Sequence, residues 1–236
     1  MYASNKLSGF PFFAAAIFLT FAAAGCATAD DGSPSGVLRN GETPNQLDAM
    51  ESLAEDAFDM ALGENYAGVS AAAREIDTRW KAFRTQAARD GVNESDLRNM
   101  DEAVSDLRRA AANPAEPLSL ARAANSVSGE MEILFEVYDP PVPPAILQLD
   151  FLGREIALDG MEKNFASASA DVDTMVLTWR RLRQTVLDAG GAQAAADYDE
   201  SITRLQTALL ARDANALVEE ANDNLELVDA LENVFL

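Results

Sequence analysis

Residues 46–139 and 140–236 are two versions of one pattern. Asn65-Tyr66-Ala67 recurs as Asn164-Phe165-Ala166, Trp80 as Trp179, and Phe83-Arg84 as Leu182-Arg183, all at a spacing of 99 residues. Asp101-Glu102 returns as Asp199-Glu200 at 98, and Ala124-Asn125 and Leu134 return as Ala221-Asn222 and Leu231 at 97. Upstream, Leu53 matches Leu152 and Asp56 matches Glu155. A spacing that shortens by one residue at two places is the mark of single deletions in the loops of a tandem duplication. Whatever one half folds into, the other must fold into as well.

The period inside each half is helical. Tyr66, Val69, Ala73, Ile76, Trp80, Phe83 and Ala87 step by alternating three and four, and Phe165, Ala168, Val172, Met175, Trp179, Leu182 and Val186 repeat the steps. That spacing makes a seam for packing against neighbouring helices at a shallow crossing angle. Gly63-Glu64-Asn65, Asp90-Gly91-Val92-Asn93, Asn113-Pro114, Gly190-Gly191 and Arg212-Asp213 interrupt it. In "YDPPVPPAI", residues 138–146, the prolines at 140, 141, 143 and 144 stop any helix and divide the halves. The expected helices are 46–62, 66–89, 94–112 and 117–138, then 144–162, 165–189, 192–211 and 214–235. Asn93 is expected to cap the third, with Glu94 and Asp96 in its first turn. No segment alternates like a strand. The expected fold is all-α, a tandem duplication of a four-helix up-down unit, arranged as two bundles or as one eight-helix array.

The residues retained in both copies are the candidates for chemistry. Trp80 and Trp179 sit inside the repeating seam, where a tryptophan fills a core; an aromatic ligand platform is the rival reading. Asp101, Glu102, Asp199 and Glu200 are the foremost carboxylates, with Glu51/Asp150 and Asp56/Glu155 behind them. Oxygen ligands of this kind suit hard cations such as Ca²⁺, Mn²⁺ or iron. Adjacent residues on a helix diverge by about 100°, however, so salt bridging to Arg84 and Arg183 is the competing role. Asn125 and Asn222 recur within an apolar face, where a buried amide would set helix register.

Absences narrow the chemistry further. The chain has no histidine, which removes the commonest general base and the commonest transition-metal and haem ligand. With 39 acidic against 18 basic side chains and a net charge of −21, it offers no basic patch to displace phosphate counterions, so nucleic acid is not an expected partner. No nucleophile stands beside an activating base, and no catalytic residues are expected.

The sole cysteine is Cys26, in "FAAAGCATADDGSPSG". Before it come Lys6 and an apolar run from Phe12 through Ala24, too short for the ~20 residues that span a bilayer but suited to a secretory signal. Ala23-Ala24-Gly25-Cys26 resembles the lipobox of bacterial lipoprotein precursors, with Ala23 where leucine is usual. The resemblance implies that residues 1–25 are a lipoprotein signal peptide, cleaved before Cys26, and that Cys26 carries diacylglycerol and a further acyl chain. It implies no other cofactor. Ala27, in place of the aspartate that retains such proteins at the inner membrane, points to a periplasmic protein anchored at the outer membrane. Residues 26–45, nearly free of apolar side chains, read as a flexible tether. The expected function is a lipid-anchored, non-enzymatic interaction or scaffold module with a protein partner in the cell envelope. The alternative is a cation-binding lipoprotein that uses the duplicated carboxylates.

Overall fold

The computed structural model describes residues 43–114 and 116–236; the signal segment 1–25, Cys26 and all but the last residues of the tether lie outside the described residues. Among the described residues there are nine helices and no strand: α1 (Asn45–Leu62), α2 (Tyr66–Asp90), α3 (Glu94–Ala112), α4 (Pro117–Gly129), α5 (Met131–Glu136), α6 (Ala145–Glu162), α7 (Phe165–Asp188), α8 (Ala192–Ala211) and α9 (Ala214–Glu232).

The duplicated residues set the helix starts. Asn65 and Asn164 are equivalent N-caps, with φ/ψ of −83°/66° and −88°/68°, and their side chains accept from the Gly68 and Ser167 amides. Each satisfies one of the orphan donors at a helix N-terminus. Asn93 caps α3 by accepting from the Ser95 and Asp96 amides, and Asp213 caps α9 through the Asn215 and Ala216 amides. The turns after α2 and α7 reverse through Gly91 (φ +117°) and Gly190 (φ +92°), counterparts in the two copies at a left-handed conformation that other residues rarely adopt.

Each half closes on itself. α1 packs on α2, α2 on α3, α3 on α4 and α4 back on α1; α6, α7, α8 and α9 make the same ring. The buried residues obey the repeat closely. Leu47, Met50, Ala54, Ala57 and Ala61 of α1 become Ile146, Leu149, Gly153, Ile156 and Gly160 of α6. Val69, Ala73, Ile76, Trp80, Phe83 and Ala87 of α2 become Ala168, Val172, Met175, Trp179, Leu182 and Val186 of α7. Of the two expected arrangements, the molecule adopts two bundles, each with its own core, docked side by side.

The docking runs through α6. It packs on α7 and α9 within its bundle and on α4 and α5 of the other. Leu158 on its far side is fully buried in the first bundle's core. Burying a leucine contributes about 1.5–3 kcal/mol, so this one side chain is a substantial part of the attachment.

Two expectations are corrected. The helix expected over 117–138 breaks after Gly129, because Asn125-Ser126-Val127-Ser128-Gly129 is a run of poor helix formers and small residues admit kinks. The break lies against the second bundle: a Cβ on Gly129 would come within 2.9 Å of the Phe151 ring on α6. The last helix ends at Glu232, short of the expected 235. Gly129→Ala is therefore expected to cost about 1–3 kcal/mol by overpacking the contact between bundles. Urea denaturation would measure it, and an unchanged midpoint would show that Phe151 yields freely.

Candidate functional site

The repeated residues from the sequence assemble into the same clasp twice. Trp80, 2% exposed, donates its indole N–H to Asp101 Oδ1 at 2.7 Å, and Arg84 Nε binds both carboxylate oxygens at 3.0 and 2.9 Å. In the second bundle Trp179, 3% exposed, donates to Asp199 Oδ1 at 2.7 Å; Arg183 Nε lies 3.1 and 2.9 Å from the two oxygens, and its Nη2 lies 2.7 Å from Oδ2. Each clasp ties the second helix of a bundle to the third. A buried indole needs an acceptor for its N–H, and a carboxylate gripped by a guanidinium supplies a strong one. The hydrogen bonds from Arg183 and, more weakly, from Trp179 hold the Asp199 carboxyl below its usual range despite partial burial.

The indoles thus fill cores and reach out with one polar atom. Phe83 packs edge-on to Trp80, and Tyr198 packs 4.7 Å from Trp179. The neighbouring carboxylates diverge: Glu102 and Glu200 are exposed, and Glu200 Oε1 lies 3.5 Å from Arg204. Asp101 and Asp199 turn to their tryptophan and arginine instead, so neither adjacent pair converges on one point. Among the described residues no group of three or more acidic or cysteine side chains is arranged to hold a metal ion.

The asparagine reading is half overturned. Asn125 is fully buried and donates to the Phe151 carbonyl at 3.1 Å and to Glu155 at 2.8 Å, both on α6. Asn222 is only half-buried. The buried amide of the second bundle is Asn224, which donates to the Ser201 hydroxyl at 2.8 Å and accepts from the Tyr198 hydroxyl at 3.3 Å. Asn125 is buried because its face of α4 meets the other bundle, and α9 has no such neighbour there. Tyr138 also differs from Phe235, its counterpart: its hydroxyl donates to Asp90 at 2.9 Å and ties α5's end to that of α2.

The densest polar arrangement lies where the bundles meet, and of its members the repeat pointed only to Glu51, Asp150 and Glu155. Arg122 of α4 reaches across to Glu155, to Asp159 at 2.9 Å and to Glu162 at 2.9 Å, all on α6. The Asp159 side chain is 1% exposed, and its Oδ2 has no hydrogen-bond partner. Asp171 of α7 stands beside it; burial first, then Asp159 and Glu155, push the Asp171 carboxyl up to about 6. Nearer the start of α6, Arg154 reaches back to Glu55 of α1 at 2.7 Å and holds Asp150 at 2.7 Å. Glu51 of α1 and Glu232 of α9 crowd the same guanidinium. Burial, followed by neighbouring carboxylates, raises Asp150 and Glu232 to about 7 and Glu51 well above its ordinary value.

Open grooves lie elsewhere. One between α8 and α9 has Ala208, Ala211 and Ala216 along its floor and Thr203, Arg204 and Glu220 at its rim. Among the described residues no helix is long and apolar enough to cross a membrane.

Asp199→Ala strands the Trp179 N–H, and Asp101→Ala strands that of Trp80. Each is expected to lower stability by about 1–3 kcal/mol, the cost of an unsatisfied buried donor. The asparagine variants, which keep an acceptor, should lose less. Urea titration of all four measures this, and equal losses for alanine and asparagine would contradict the clasp. Because Asp199 is held below its unfolded value, its contribution should be present above the ordinary carboxylate pKa and vanish as pH falls through its folded one.

The chain matches no protein-family model, no curated protein and no solved structure.

Proposed function

We propose that this chain is a non-enzymatic interaction or scaffold module of the cell envelope, held to the membrane by lipid on Cys26 and engaging a protein partner through its helical surface. The observation that carries this reading is what the duplicated polar residues do. Asp101 with Arg84 and Trp80, and Asp199 with Arg183 and Trp179, bind helix to helix. The polar residues retained in both copies are thus engaged in closing the bundles.

Two further features support the reading. The lipobox-like Ala23-Ala24-Gly25-Cys26 places the attachment point ahead of a polar stretch, so the folded part stands off the membrane. Acyl chains contribute ~0.8 kcal/mol per buried methylene, so a doubly or triply acylated terminus anchors stably. The net charge of −21 would repel an anionic lipid surface, which leaves lipid as the membrane contact and favours a partner with basic character.

The test begins with mass spectrometry of the mature amino terminus, expected to show acylated Cys26. Crosslinking in intact cells and affinity purification from membranes should then retrieve a stoichiometric partner. A soluble chain with bare Cys26, or an uncrosslinked monomer at native expression, would overturn the proposal. Saturable Ca²⁺ or Mn²⁺ binding abolished by Asp101→Asn and Asp199→Asn would replace it with the cation-binding reading.

A further inference from the structure

We propose that the seam between the two bundles is a proton-linked joint: protons shared among the carboxyl groups that face one another around α6 hold the bundles together, and their loss loosens the seam while each bundle stays folded. This does not depend on the function proposed above.

The geometry supplies a closed unit on either side and a contact that can part. Each bundle has its own ring of helices and its own core, and Leu158 is the buried residue of α6 that belongs to the other core. Residues 139–144, between α5 and α6, carry the four prolines and no helix.

Around Arg154, Glu51, Glu55 and Asp59 approach from α1, Asp150 from α6 itself, and Asp229 and Glu232 from α9; Tyr198 of α8 is close to Asp150. One guanidinium cannot neutralise them all. Around Arg122 of α4 stand Glu155, Asp159 and Glu162 of α6 and Asp171 of α7. The buried Asp159 Oδ2 lacks a partner while Asp171 stands next to it. Two carboxylates facing one another repel; a carboxyl facing a carboxylate makes a hydrogen bond. A proton on Asp171 would supply that partner within the second bundle and leave the other Asp159 oxygen to Arg122 of the first, while across the seam itself Asp150 faces Glu55. A metal ion would have to share the space with a guanidinium, and no acidic group there has a metal-holding arrangement.

Comparison of the copies shows that this chemistry belongs to the seam. At the spacing of 99, Asp159 stands where the first bundle has Met60, and Asp171 where it has Ala72. Arg154 stands where it has Glu55, and those two counterparts pair with each other across the seam. Asp159 and Asp171 are acids in the second copy alone, whereas Glu51 and Asp150 are counterparts from the two copies that meet at the seam.

The direction follows from burial and crowding. Asp150 and Glu232 rise to about 7 and Asp171 to about 6, so the docked state binds more protons than an unfolded chain between the ordinary carboxylate range and those values. Stability from the seam is therefore greatest in mild acid and is lost as pH rises through about 7.

Hydrogen exchange of the full chain, at about pH 6 and about pH 8 and corrected for intrinsic exchange rates, tests the joint. Protection in α4 and α6 should fall at least about tenfold at the higher pH while α3 and α8 hold, since a single unit of pKa shift is already a tenfold effect. Glu51→Gln and Asp171→Asn should each reduce that difference. Should the variants fail to fold, the thermal midpoint of the unaltered chain decides: it should fall as pH rises from about 5.5 to about 8. Seam protection or a midpoint that stays flat or increases with pH would overturn the proposal. So would equal loss in α3 and α8, which would signify global unfolding.

Discussion

The burial of α6 on two opposite sides is the constraint on which the rest of the molecule depends. A helix in a four-helix ring ordinarily keeps one face for water. α6 presents Ile146, Leu149 and Ile156 to its own core and Leu158 to the neighbouring one, so polar residues between those two faces are trapped. Glu155 and Asp159 are nearly buried as a result. A buried charge must be paired or neutralised, and Arg122, Asn125 and Arg154 are placed where that requirement is sharpest. The charge network follows from the docking.

The Trp–Asp–Arg clasps solve a different problem. They lie between the second and third helices of each bundle, partly exposed, and both copies keep them with nearly the same distances. Each lets a bulky indole enter the core without an orphaned N–H. They are internal to a bundle, so they would function equally in a single unit, whereas the Arg122 and Arg154 networks have meaning only when two units meet.

That contrast explains what could be read from the sequence. The helices, the cores and the clasp members were legible because every one of those residues has a counterpart doing the same work. The seam was legible only in part: Glu51/Asp150 and Asp56/Glu155 recur, but its other members lie where the copies cease to be equivalent, with Met60 giving way to Asp159, Ala72 to Asp171 and Glu55 to Arg154. A search for repetition discards such positions. Asn222 misled for the same reason, since its match to Asn125 is a match of letters between a helix face that meets the other bundle and one that does not. The informative signal was present as departures from the repeat, an apolar residue in one copy against an acid in the other. The break after Gly129 had a local signal in the poor helix formers that lead to it, but not the Phe151 ring of the other bundle that packs against it.

Two copies of one bundle meet along α6 and trap acidic side chains between them, and carboxyl-carbon NMR titration of the folded chain is the decisive measurement. Asp150 and Glu232 should titrate near pH 7, far above their ordinary range, while Asp199 in its clasp should titrate below its own. If Asp150 and Glu232 titrated together with the exposed carboxylates, at about pH 4, the seam would be open to water and the docking of the bundles would be contradicted.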